Sequence, residues 1–123
     1  MHMLASLALI VSMFAAASMF ARAQDGPVPG KEIQDTWVGK DLMGTTATGA
    51  RVRLRLEADG KASVSAGNTT NTGTWRISDN GYCTTWNTIR SGTERCFSVV
   101  RVGAGFKVLN PDGSLSGQFH SIQ

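Results

Sequence analysis

Residues 50–58, ARVRLRLEA, alternate without a break. Ala50, Val52, Leu54, Leu56 and Ala58 fall on one side, and Arg51, Arg53, Arg55 and Glu57 on the other. Successive side chains of a β-strand point to opposite faces, so this run demands a strand with one face buried and the other in water. The next segment, KASVSA, carries Ala62, Val64 and Ala66 in the same phase. A three-residue turn Ala58-Asp59-Gly60, with Gly60 left-handed, keeps both apolar sets on one face and sets Glu57 opposite Lys61. A two-residue turn would send the second apolar set outward.

The same grammar continues to the end of the chain. Glycines recur at 49, 60, 81, 92, 103 and 113, mostly about eleven residues apart, between short runs rich in Thr, Ser and Val. The pattern predicts an all-β domain, a small antiparallel barrel or sandwich of six to eight strands, without an amphipathic helix. Around Asp79-Asn80-Gly81, the runs GTWRIS and YCTTW form a second hairpin. Asn80-Gly81 as a two-residue turn would set Trp75 opposite Trp86 and Ile77 opposite Thr84. Val100 and Val102 fall out of phase with Phe97 and Val99, which calls for a bulge or for a hairpin apolar on both sides.

The fold does not use the whole chain. Leu4 to Phe20 is apolar and uncharged and leads to Ala21-Arg22-Ala23, then to polar Gln24-Asp25. That is the layout of a secretory signal peptide over residues 1–23, with cleavage before Gln24. The alternative is an uncleaved anchor, since the apolar run is at the lower limit for a membrane span. Residues 24–35, QDGPVPGKEIQD, read as an exposed, irregular and flexible leader, and residues 36–123 as the barrel-like domain. Without Arg22 the balance is 11 Lys and Arg against 9 Asp and Glu. This weak excess lacks the basic clustering of a nucleic-acid-binding domain. No stable membrane insertion is expected after cleavage.

An exported chain with two cysteines pairs them, and strand pairing around them sets Cys83 opposite Cys96 and Tyr82 opposite Phe97. The spacing is too wide for a C-x-x-C redox site, and His120 is the only histidine after residue 23. No metal, cofactor or catalytic group is therefore expected; His120 stands near the end of the chain without a nucleophile motif. Asp59-Gly60, Asp79-Asn80-Gly81 and Asn110-Pro111-Asp112-Gly113 lack calcium-loop spacing and read as turns. Asn68-Thr69-Thr70 matches the glycosylation acceptor pattern, which bears only on a eukaryotic secretory host.

Two residue sets could bind something. Trp75, Tyr82, Trp86 and Phe97 share one face with Ile77 and Val99, as core or as the lining of a ligand cavity. Arg51, Arg53 and Arg55 form a cationic strip, as a solvated face or a docking strip for an acidic partner. The succession G-T-W-R-I (73–77), N-G-Y-C-x-x-W (80–86) and E-R-C-F (94–97) resembles a family of small exported proteobacterial β-proteins of unknown function. The resemblance implies export and a disulfide-bearing β-domain. In size and in its single disulfide the chain is also similar to small exported barrels that inhibit proteases, without a residue-by-residue match. The expected function is a non-catalytic periplasmic or secreted binding module for an unknown protein or small molecule. A lipocalin-like ligand barrel and an inhibitor of an exported enzyme are the alternatives. A filled interior favours a protein partner; an open, aromatic-lined one favours a ligand.

Overall fold

The computed structural model describes residues 25–123, and the expected signal peptide lies outside them. The elements follow as β1 (Gly26–Pro27), α1 (Gly30–Thr36), β2 (Asp41–Thr46), β3 (Arg51–Leu56), β4 (Lys61–Ala66) and β5 (Thr69–Ser78). They continue with β6 (Gly81–Trp86), β7 (Arg95–Val102), β8 (Gly105–Leu109) and β9 (Leu115–Ile122). From β2 onward each strand pairs antiparallel with the next, and β9 returns to β2. Eight strands thus close into an up-and-down barrel. Closure removes the unpaired edges that an open sheet of this size would present. β1 adds a short extra strand on β7, through Gly26↔Arg101 and Pro27↔Val100.

The alternation that defines β3 and β4 sets their inner faces. Leu54, Leu56 and Ala62 are buried, and Leu54 stands opposite Val64. The turn Ala58-Asp59-Gly60 has the expected length, with Gly60 at φ +88°. Glu57 and Lys61 are opposite each other, yet the Glu57 carboxylate pairs with Arg55 at 2.6 Å instead.

Residues 25–35 depart from the leader expected over residues 24–35. From Asp25 onward the segment is built into the fold: Val28 and Ile33 are buried, and α1 lies across one end of the barrel. Ile33 and Trp37, four residues apart, share one helix face, and that face plugs the barrel. Trp37 is fully buried, with ring centroids 5.8 Å from Tyr82, 5.1 Å from Phe106 and 5.7 Å from Phe119. Arg101, inward on β7, meets Glu32 of α1 at 2.6 Å and lies 4.9 Å over the Phe106 ring. Seven residues are too few to hold a helix in water, so α1 owes its structure to this docking.

The second hairpin is shifted by two residues from the expected register. Ile77 pairs with Tyr82, Trp75 with Thr84 and Gly73 with Trp86, so the turn residues are Asp79-Asn80. Gly81 belongs to β6. A Cβ there would stand 1.9 Å from the Phe97 carbonyl oxygen, so the glycine serves the close approach of β6 to β7 and not the turn. The turn carbonyls are used as well: Asp79 accepts from Gly30 N–H and Asn80 from Val99 N–H. These tertiary bonds override the local Asn-Gly preference. An even shift preserves every face, although Ile77 at the end of β5 is left 37% exposed. In β7 the pairing with β8 runs without a bulge. The strand is instead apolar on both sides, and Val102 is 41% exposed.

Candidate ligand-binding site

Opposite the α1 plug, the barrel end formed by the β2–β3, β4–β5, β6–β7 and β8–β9 loops holds a cavity of about 260 Å³. Three of the four candidate aromatics line it. Along β6, Trp86 stands nearest this end, Thr84 follows, and Tyr82 lies deepest, against Trp37. Phe97 completes this wall, 5.5 Å from Tyr82 between centroids, and Leu54, Val64, Val108 and Phe119 face them. Trp75 is elsewhere. Two residues of register place it over the β3–β4 turn at the plugged end, where its Nε1 donates to the Glu57 carbonyl at 2.7 Å. The volume lies between a cavity that admits benzene, about 150 Å³, and a drug-sized pocket, about 300 Å³ and more.

The polar side chains of the lining are Thr45, Thr46, Tyr82, Thr84, Arg90, Ser116 and Gln118, and three of them are distinctive. Thr84 is 1% exposed, and its hydroxyl has no hydrogen-bond partner among the described residues. Burial pushes the Tyr82 phenol well above the ordinary tyrosine range, and the Arg90 charge offsets this in part. Arg90 sits in the β6–β7 loop, where it and Ser91 both adopt left-handed backbone, φ 55° and 52°. Such conformations are unfavourable for residues with a Cβ and persist where their surroundings impose them. The Arg90 guanidinium lies 5.6 Å from the Phe97 ring centroid. Its own pKa is lowered by burial first and by the charge of Arg95 second. No salt bridge to Arg90 occurs among the described residues.

The loop that carries Arg90 is fastened at its base by the Cys83–Cys96 disulfide. The cysteines are directly opposed across β6 and β7, as the sequence implies, with Tyr82 beside Phe97. Closing a loop of this length contributes about 3 kcal/mol in the chain-entropy model. The disulfide faces outward, beneath a two-bond pair from Arg76 to Glu94 at 2.7 and 3.0 Å. Hydrogen bonding to Arg76 holds the Glu94 carboxyl below its usual range. Cys83, Cys96 and Glu94 lie near one another, but sulfurs joined in a disulfide do not supply the thiolates that a metal site needs.

The arginine strip is divided. Arg55 is engaged by Glu57 and by Asp41 at 3.2 Å, whereas Arg51 and Arg53 are exposed and make no salt bridge among the described residues. Arg53 and Arg55 border a wide polar depression of about 730 Å³ on the outer face, with Ser63, Ser65 and Thr72. His120 is exposed on the outer face of β9, away from the cavity.

Sequence reasoning missed Arg90 and Thr84 as site residues. Thr84 carried a signal, as a polar residue in phase between Tyr82 and Trp86. For Arg90 the only clue was its place between the two cysteines. No helix among the described residues is long and apolar enough to cross a membrane. The chain matches no protein-family model, no curated protein and no solved structure.

Proposed function

We propose that the protein is an exported, non-catalytic barrel that binds a small, largely apolar molecule in its interior. The observation that carries this reading is the cavity of about 260 Å³, walled by Tyr82, Trp86 and Phe97 and stopped at its far end by the α1 plug. Small-molecule sites are concave and mostly apolar, with a few fixed polar groups, and the mouths of β-barrels are frequent places for them. The absence of catalysis is part of the proposal. The titratable side chains on the cavity wall are Tyr82 and Arg90, and both stay protonated at neutral pH. Neither is suited to take a proton there. A periplasmic or extracellular location belongs to the same reading. It is supported by the signal-peptide pattern of residues 1–23 and by the disulfide, which persists in oxidising compartments.

Ala66 lines the cavity on β4 and offers a way to fill it. In the wild-type protein 1-hexanol should raise the melting temperature by mass action. In Ala66→Phe that shift should vanish, while the unliganded protein keeps its stability or gains about 1 kcal/mol. A shift of equal size in both proteins would place binding elsewhere. No shift in the wild type, with 1-hexanol or with a series of small apolar compounds, would overturn the reading.

A further inference from the structure

We infer that the cavity selects a small amphipathic carboxylate, its apolar body between Trp86, Phe97 and Leu54 and its charged end on Arg90. The inference rests on the proposal that the cavity binds small molecules, and adds the chemical class.

The argument begins with the charge. Arg90 is a cation at the wall of an apolar space, half-buried, against the face of Phe97, with no acidic partner among the described residues. Removing a guanidinium from water without a counter-charge is unfavourable. The Phe97 ring offsets part of this, but the backbone and the neighbouring charge do not. Its backbone is left-handed, Ser91 beside it is left-handed too, and Arg95 adds a second positive charge nearby. The loop is nevertheless held in place, tied at its neck by the Cys83–Cys96 bridge and anchored by Ile89, which packs against the core. A fixed, unpaired and partly desolvated guanidinium is prepared to receive an anion, and its planar fork matches a carboxylate in two-point geometry.

The second observation is independent of the first. Thr84 offers a hydroxyl, 1% exposed and without a partner among the described residues, on the same cavity wall. A buried hydroxyl without a partner is destabilising, and a valine would fit the same space. A ligand that is apolar in the main but carries an oxygen function would satisfy it. The size limit follows from the volume, which holds one aromatic ring or a short acyl chain and excludes larger lipids. Arg51 and Arg53 are outside the barrel and do not contribute.

The test compares two ligands of equal length, hexanoate and 1-hexanol, through the concentration dependence of the Thr84 methyl resonance. Wild-type protein should bind hexanoate at least about tenfold more tightly, the size of effect that one charge-assisted hydrogen bond supplies. Arg90→Asn removes the charge and keeps a residue that tolerates left-handed backbone. It should lose the preference, so that hexanoate and 1-hexanol bind with equal affinity. Equal affinity of the wild type for the two ligands would overturn the carboxylate inference and leave the binding barrel standing. A preference that survives Arg90→Asn would overturn the role of Arg90. Binding of neither ligand by the wild type would overturn the inference together with the reading beneath it.

Discussion

Tyr82 is the only tyrosine of the chain, so its ionisation is followed by absorbance without interference from another phenol. Burial raises its pKa, because the phenolate would be left in an apolar interior beside Trp37 and Phe97. A raised pKa in the fold means that the native state holds this proton more tightly than the unfolded chain does. The stability associated with it is complete below the unfolded value, about 10, and declines above it by up to about 1.4 kcal/mol per pH unit. Native protein should therefore show no phenolate absorbance at pH 10, and ionisation should coincide with alkaline unfolding. A phenol titrating reversibly near pH 10 in folded protein would mean that water reaches the depth of the cavity. At this scale the sequence was informative where alternation applied. Tyr82, Trp86 and Phe97 could be assigned inward from period two alone. Arg90 could not, because its position depends on left-handed backbone that no periodic pattern encodes.

Among the elements, the strands of the two hairpins were legible and the helix was not, for a physical reason. β3 and β4 are specified by their own alternation, whereas α1 has seven residues, begins after Pro29 with a glycine, and shows only Ile33 and Trp37 as a stripe. Its stability is tertiary and comes from the barrel it closes. The register of the second hairpin was misread for the same kind of reason, since the Asp79 carbonyl is committed to Gly30 of the helix. This dependence has a measurable consequence. Trp37→Ala removes the ring that touches Tyr82, Phe106 and Phe119, and should lower unfolding stability by about 3–5 kcal/mol. Amides of α1 should lose hydrogen-exchange protection before those of β3 and β4. A loss under about 1 kcal/mol, small for a buried aromatic, would show the plug to be an accessory instead of part of the core.

For the whole molecule, the class of fold and the approximate strand number followed from turn spacing, but closure did not. Closure joins Leu42 to Ile122 and Thr45 to Gln118, pairs far apart in sequence that share no local pattern. It also depends on a glycine that falls outside the turn spacing of about eleven residues. Gly44 lies within β2, buried, where the pairing with β9 shifts register between Met43 and Gly44. A Cβ there would stand 1.8 Å from the Gln118 carbonyl oxygen and 2.8 Å from the Phe119 Cα, and both of these atoms are backbone. Neither can rotate away, so Gly44→Ala must push β2 and β9 apart. The expected loss is about 1–3 kcal/mol, the usual scale for overpacking against a rigid neighbour. Its location is more telling than its size. Amides that pair β2 with β9 should exchange faster, while the β3–β4 hairpin, specified by its own alternation, changes little. Thr45, Gly117 and Gln118 also line the cavity, so 1-hexanol should bind more weakly to the variant. Unchanged exchange across β2 and β9 would mean that the barrel absorbs the methyl group elsewhere, and that closure does not rest on this glycine.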